Sequence, residues 1–315
     1  MTITRRVYVS LPADSNLPPK LNELKWGIVE EIEKLRYTPE IFTNPRGTRA
    51  LASAKSWHPR DADDIACRCT GAAVLGMARW NLQTPKTPTE ESKPVLLPTE
   101  FNYYEGALAR TLGLPTLVLV QRDVMRRVVF DMNFAGYLGL FPPDADLNWI
   151  HTDEFRVPFE YWKAALEERV DVFLGYCSRS KPIAQKVKRF LESLKANVLD
   201  WELDFIPGRT ILEQIEAAAK RSVGGIFLFT KDDDLLDGVP TAVSAPRDNV
   251  VFEAGYFIGV KGKRNVLIVR ETNSKMPADL GGDIYASLPD RGTTPTDQVS
   301  IEPIERTLKA FVEAI

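Results

Sequence analysis

Short apolar runs alternate with helix-periodic segments along the first half of the chain. Leucine and isoleucine recur at helical spacing over 21–35, and similar patterns predict helices over 62–69 and 101–112. Between these segments lie four strand-like runs, at 7–10, 39–42, 71–76 and 114–120. Apolar strands that alternate with helices are typical of a parallel sheet covered on both faces.

The second half repeats this plan. Strands are predicted at 170–175, 197–201, 225–230 and 265–269, and helices at 182–194, at 210–219 and around Glu253. Segments 83–98 and 231–246, rich in proline and polar residues, are predicted as loops. In each half a glutamate precedes the last of these strands: Glu105 lies 11 residues before Thr116, and Glu253 lies 12 residues before Asn265.

These patterns predict an α/β protein of two flavodoxin/Rossmann-like, doubly wound parallel-sheet domains. A length of 315 residues agrees with two domains of about 150 residues each. The predicted domains are residues 1–165 and 168–315, and an aromatic-rich helix within 149–168 closes the first.

Composition narrows the function classes. The net charge of −3 offers no broad basic field, so we expect no direct nucleic-acid binding. Three cysteines and two histidines form neither a disulfide framework nor a cluster with metal-ligand spacing, which favours a reducing compartment and predicts no metal site. The N-terminus has no apolar leader, and no run approaches about 18 apolar residues, so we expect a cytoplasmic protein without membrane association.

Glu253 is the most informative residue, because it lies inside the apolar segment Val250–Gly259. Burying a carboxylate is costly unless it has partners. Two interpretations follow from the residues alone: a structural ion pair with Arg247, or a chemical role.

Polar and aromatic residues follow the predicted strands of the second half. Ligands of open parallel sheets bind beyond the carboxyl ends of the strands, so these side chains are expected to converge there. They include hydroxyls, an indole, carboxylates and one arginine, and no histidine. The chain also lacks the phosphate-binding motifs Gly-x-x-x-x-Gly-Lys-Ser/Thr and Gly-x-Gly-x-x-Gly.

One carboxylate among aromatic and hydroxyl groups is compatible with cleavage of the N-glycosidic bond to nicotinamide. Ordinary glycosidases use two carboxylates because the leaving oxygen must be protonated. Nicotinamide in NAD⁺ is already cationic and leaves as a neutral molecule, so a single carboxylate that stabilises the oxocarbenium ion suffices.

Residues 171–290 resemble the TIR-like domains of bacterial antiviral effectors, which cleave NAD⁺. The most specific motifs are Arg247-Asp-Asn-Val-Val-Phe-Glu253 and Asp279-Leu-Gly281. Further matching segments are 172–178, 198–201, 205–208 and 227–233.

The resemblance implies that Glu253 is the catalytic glutamate and that NAD⁺ is a substrate, with no added cofactor. It also implies assembly into a homo-oligomer on activation. The implied substrate-binding residues are Cys177, Ser178, Trp201, Phe205, Asp232, Asp233, Arg247 and Asn249. Cys177 stands where the family has serine, and Ala254 where it often has leucine.

The first domain is similar to TIR and nucleoside deoxyribosyltransferase-like folds through Tyr104-Glu105-Gly-Ala107, but it lacks Arg-Asp-Asn before the glutamate. We therefore expect a degenerate copy that receives an activating signal or directs assembly through residues 1–165. Two alternatives remain open: a non-enzymatic nucleotide-binding or scaffold protein, and a first domain that exchanges bases on nucleosides.

Overall fold

The computed structural model describes residues 3–14, 17–42, 58–83, 94–201, 208, 210–235, 243–275 and 285–315. These residues form two compact units. The N-terminal unit is Thr4–Glu168, and the C-terminal unit is Arg169–Ile315 together with Ile3.

The N-terminal unit contains a five-stranded parallel sheet of order β2-β1-β3-β6-β7. Its strands are β1 Arg6–Ser10, β2 Thr38–Glu40, β3 Gly71–Gly76, β6 Thr116–Gln121 and β7 Tyr137–Phe141. An antiparallel hairpin pairs β4 Trp80–Gln83 with β5 Pro94–Leu97. The helices are α1 Pro19–Lys34, α2 Pro59–Ala66, α3 Glu100–Thr111 and α4 Asp153–Glu167.

Apolar side chains cover both faces of this sheet. Helices α1 and α4 share one core cluster with strand residues such as Val7 and Leu119. Helices α2 and α3 pack with Tyr8 and Ala72 in a separate cluster. Successive strand residues point to opposite faces, which explains why strands buried on both sides are almost continuously apolar.

The C-terminal unit has the same topology. Its parallel sheet has the order β14-β13-β10-β8-β9. The strands are β8 Val170–Gly175, β9 Val198–Asp200, β10 Ser222–Phe229, β13 Val266–Glu271 and β14 Tyr285–Leu288. The helices are α5 Lys181–Ser193, α6 Ile211–Arg221, α7 Asp248–Lys261 and α8 Glu302–Ala314. Helices α5 and α8 cover one face, and α6 and α7 the other.

In both units the second strand of the sheet pairs with one side of the first strand, and the third strand pairs with its other side. This topological switch opens a crevice at the carboxyl ends of the first and third strands. The two glutamates noted in the sequence lie at equivalent places. Glu105 is the sixth residue of α3 and Glu253 the sixth of α7, each in the helix before the fourth sheet strand.

The α/β fold with two parallel sheets is confirmed, whereas both loop predictions are wrong in part. Segment 83–98 contains β5, and segment 231–246 contains the ribbon of β11 Asp233–Leu235 and β12 Val243–Ala245. Strands β7 and β14 and helix α8 were not predicted. Within the described ranges, every helix is too short or too polar to cross a bilayer.

Candidate active site

A cavity of about 410 Å³ opens at the carboxyl ends of the strands in the C-terminal unit. It lies between the segment after β8, the end of β9 and the N-terminal turns of α6 and α7. Its lining residues are Tyr176, Cys177, Ser178, Arg179, Trp201, Ile211, Arg247, Asn249, Val250 and Glu253.

Glu253 lies in the wall of this cavity and is only 8% exposed. It shares the buried face of α7 with Val250 and Phe257, which lie one turn before and one turn after it, and with its neighbour Ala254. Its Oε2 has no hydrogen-bond partner among the described residues. Desolvation by burial raises the pKa of Glu253 to about 7.

Gly175, the last residue of β8, lets the glutamate approach the sheet. A Cβ atom at this position would lie 2.9 Å from Oε2 of Glu253 and 2.5 Å from Cδ1 of Phe227. Both distances are shorter than ordinary van der Waals contact. The sequence Leu-Gly-Tyr therefore makes room for the carboxylate at the strand end.

An aromatic pair forms a second wall. The rings of Tyr176 and Trp201 are tilted at 54°, with centroids 5.7 Å apart. Trp201 Nε1 donates to the carbonyl oxygen of Tyr176 at 3.0 Å, and the Tyr176 hydroxyl donates to Asp200 Oδ1 at 2.7 Å. These bonds fix both rings, so the indole joins the cavity wall and also packs on the core.

Arg247 does not pair with Glu253. It precedes α7, and its Nε lies 3.1 Å from Asp233 Oδ2, with side chains 46% and 41% exposed. The structural ion-pair interpretation of Glu253 is therefore wrong within the described residues. Asn249, in the first turn of α7, also lines the cavity with an exposed side chain.

The two aspartates of the loop after β10 lie outside the cavity lining. Asp232 is buried and accepts a hydrogen bond from Thr230 Oγ1 at 2.8 Å, and burial raises its pKa. Its backbone N–H donates to Ala245 O at 3.0 Å, which ties the loop to β12. Asp232 therefore stabilises the loop, and Asp233 orients the Arg247 side chain.

Of the remaining predicted site residues, two line the cavity and one lies outside the described residues. Cys177 is buried in the cavity wall, and Ser178 is exposed beside it. Phe205 and the Asp279-Leu-Gly281 motif lie outside the described residues.

The predicted substrate-binding residues did not include four other residues of the lining, namely Tyr176, Arg179, Ile211 and Val250. Their positions near the end of a strand or the start of a helix could have indicated that they line the cavity.

The described residues contain no group of three or more His, Cys, Asp or Glu side chains arranged to hold a metal ion. The cavity combines two guanidinium groups, one buried carboxylate, an indole and a phenol. Such a set suits an anionic ligand that also carries an aromatic ring and a cationic centre.

The C-terminal unit resembles known effector domains. Residues 171–290 match the family model described as CAP12/Pycsar effector protein, TIR domain. "Uncharacterized protein YuaY" of Escherichia coli K12 is 36% identical over 112 residues, which cover 34% of this chain and 36% of that protein. "CD-NTase-associated protein 12" of a Lachnospiraceae bacterium (strain RUG226) is 30% identical over 112 residues, 35% of each chain. "Protein tirC" of Dictyostelium discoideum is 31% identical over 140 residues, 38% of this chain and 64% of its own.

The chain thus spans about a third of the length of two of these relatives and less than two thirds of the other. The predicted TIR-like domain at residues 171–290 is confirmed by the match of these residues to the TIR-domain model of the CAP12/Pycsar effectors.

Proposed function

We propose that the C-terminal unit is an NAD⁺ nucleosidase, which cleaves the bond between nicotinamide and ribose, and that the chain acts as an effector in bacterial antiviral defence. The observation that carries this proposal is Glu253, a buried carboxylate that faces the cavity while its Oε2 has no hydrogen-bond partner among the described residues. An unpaired buried carboxylate costs stability, and such costs concentrate at functional sites.

The charges of the cavity agree with a dinucleotide substrate. Among the described lining residues, Arg179 and Arg247 contribute two positive charges and Glu253 one negative charge, a net charge of +1. The guanidinium groups would bind the pyrophosphate, and the Trp201 indole in the cavity wall would stack on an aromatic ring. A volume of about 410 Å³ lies within the range of small-molecule sites.

The proposed reaction needs one negative charge beside C1′ of the ribose. The glycosidic bond breaks with both electrons moving to the nicotinamide nitrogen, which becomes neutral. The ribose C1′ is left as an oxocarbenium ion, and the Glu253 carboxylate stabilises it. Water then adds at C1′ and releases a proton, which gives ADP-ribose. Attack by a nucleotide group of the same molecule would give a cyclic product instead.

Regulation is part of the proposal. Constant cleavage of NAD⁺ would harm the host cell, so the resting protein would be inactive and would act after homo-oligomeric assembly in the cytoplasm. The N-terminal unit would receive the activating signal. The name of the similar CD-NTase-associated proteins favours a signal that comes from a CD-NTase.

The test compares Glu253→Gln with the parent chain at high protein concentration, with nicotinamide release measured by chromatography. Glu192→Gln, on the exposed side of α5, is the matched control. We expect the control to act like the parent and Glu253→Gln to lose activity.

The alternative is a non-enzymatic TIR-type scaffold. It predicts that neither the parent chain nor the control depletes NAD⁺, even when expressed in bacteria challenged by phage. Cleavage that persists in Glu253→Gln at the parent rate would contradict the catalytic assignment.

A further inference from the structure

The N-terminal unit has a crevice of its own, at the switch point of its sheet. A cavity of about 350 Å³ lies beyond β1 and β3, lined by residues of both strand ends and of α3. Its volume is within the range of small-molecule sites, and its position is where parallel sheets bind ligands. Its lining includes Arg79, Trp80, Glu100, Phe101 and Glu105.

Two exposed aromatic side chains stand at this crevice. Trp80, the first residue of β4, is 46% exposed, and Phe101 in the first turn of α3 is 42% exposed. The Trp80 indole is oriented from both sides: Nε1 donates to Glu100 Oε2 at 3.3 Å, and the Arg79 guanidinium lies 5.5 Å from the ring centroid. An oriented indole beside an apolar cleft is a platform for a planar heterocycle.

A carboxylate lies deeper in the same crevice. Glu105 is 5% exposed and lines the cavity, whereas Trp80 and Phe101 mark its outer part. The Tyr8 hydroxyl is buried nearby, and burial together with the negative charge of Glu105 raises the pKa of Tyr8. A buried carboxylate accepts hydrogen bonds from hydroxyl or amino groups of a ligand.

The charge of the crevice lining distinguishes phosphorylated ligands from uncharged or cationic ones. Among the described lining residues, Arg79 provides one positive charge and Glu100 and Glu105 provide two negative charges, a net charge of −1. A phosphate group would be repelled from this crevice, unlike the C-terminal cavity with its net +1. The preferred ligand is therefore uncharged or cationic.

We propose that the crevice around Trp80 and Glu105 is a binding site for an uncharged nucleoside, whose base stacks on the indole and whose hydroxyl or amino groups donate to the buried carboxylate. This proposal does not depend on NAD⁺ cleavage by the C-terminal unit, because binding is measured directly.

The test is isothermal titration calorimetry on the full chain. The titrants are adenosine, guanosine, cytidine and uridine, and then the 5′-monophosphate of each. We expect at least one nucleoside to bind with one site per chain, and its monophosphate to bind at least ten-fold more weakly. Base stacking on aromatic side chains contributes enough for such an effect to be measured.

Variants locate the binding to this crevice. Trp80→Ala and Glu105→Gln are each expected to weaken nucleoside binding at least ten-fold. The matched controls are Leu82→Ala, on the same hairpin, and Glu160→Gln, on the surface of α4, and neither residue lines the crevice. Should Glu105→Gln lower the melting temperature, Trp80→Ala decides the test, because its side chain is exposed and outside the core.

Three outcomes would overturn the proposal. The first is that none of the four nucleosides binds. The second is that a monophosphate binds as tightly as its nucleoside and that Trp80→Ala weakens both alike, which would place the phosphate in this crevice and contradict the charge argument. The third is that nucleoside binding is the same in Trp80→Ala as in the parent chain and Leu82→Ala.

Discussion

The N-terminal and C-terminal units present a buried glutamate at the same position of the same topology, Glu105 in α3 and Glu253 in α7. Their surroundings differ at the end of the first strand. Ser10 closes β1, and its Oγ accepts a hydrogen bond from Asn102 Nδ2 at 2.7 Å. Gly175 closes β8 and has no side chain, which lets Glu253 approach the strand.

The asparagines of the two helices differ as well. Asn102 is buried, and its Oδ1 also accepts from Thr99 Oγ1 at 2.7 Å, so both polar groups of its side chain are engaged within the unit. Asn249 is exposed and lines the C-terminal cavity. The shared topology provides a crevice in both units, and the residues at strand ends and helix starts decide what each crevice binds.

The largest expected effect is on the rate of NAD⁺ cleavage. Glu253→Gln keeps the shape of the side chain but removes the charge that stabilises the oxocarbenium ion, so we expect a loss of about 10²–10³-fold in nicotinamide release. Chromatography of the products measures this loss.

The same variant also tests whether the N-terminal crevice cleaves NAD⁺. If the N-terminal crevice also cleaved NAD⁺, release above about 1% of the parent rate would remain in full-length Glu253→Gln. Adding Glu105→Gln to that chain would then abolish it. Residual release that behaves in this way would contradict the assignment of cleavage to the C-terminal unit alone.

The pKa of Glu253 predicts a pH-dependent cost in stability. The folded pKa of about 7 exceeds the ordinary value of 4.5, so the folded state holds a proton that the unfolded chain has released. The free energy of unfolding therefore falls as pH rises from 4.5 to 7. Above pH 7 the cost reaches about 3 kcal/mol.

Glu253→Gln removes this cost, so the variant should be more stable than the parent at pH 8 and equal to it near pH 4.5. Denaturant unfolding at several pH values measures the difference. In the parent chain, kcat/KM should rise with pH through about 7, because the carboxylate is the active form. A stability difference that does not change with pH would show that Glu253 titrates normally.

Gly175→Ala tests the strand end that distinguishes the two crevices. The new methyl group would meet Phe227 and Glu253, and overpacking of this kind costs about 1–3 kcal/mol. We expect lower stability in denaturant unfolding and slower NAD⁺ cleavage, because the carboxylate is displaced.

Gly255→Ala and Gly259→Ala are the matched controls, since a Cβ atom at either position of α7 meets nothing within 4 Å. Helix propensity should make these two variants slightly more stable, by about 0.5–1 kcal/mol. A Gly175→Ala chain that behaves like them would remove the steric argument.

Hydrophobic periodicity was sufficient to predict most of both sheets, because strands buried on two faces are almost continuously apolar. It did not predict β7 or β14, whose runs of four or five residues do not distinguish a strand from other buried segments. The β4–β5 hairpin was missed because its pairing joins residues on either side of a polar segment.

The sequence predicted part of the candidate site. Strand ends indicated which residues converge, since topology brings them to one edge of the sheet. The partner of Arg247 was not indicated by nearness in sequence. Positions six apart do not face each other on a helix, and Glu253 points toward the sheet while Arg247 meets Asp233.

The smallest expected effect on stability concerns that ion pair. Arg247 and Asp233 are both nearly half exposed, and pairs of this kind contribute less than about 1 kcal/mol. Arg247→Ala and Asp233→Asn should therefore unfold at nearly the parent denaturant concentration. Their enzymatic effects should differ, because Arg247 lines the cavity and Asp233 does not.

We expect Arg247→Ala to raise the KM for NAD⁺ about ten-fold, as for loss of a charged hydrogen bond to a phosphate. Asp233→Asn should change it less, since the guanidinium remains. Steady-state kinetics on the full chain separates KM from kcat. Equal KM values in Arg247→Ala and the parent would show that Arg247 only orders the loop before α7. Arg179, which also lines the cavity, would then be the residue that binds the pyrophosphate.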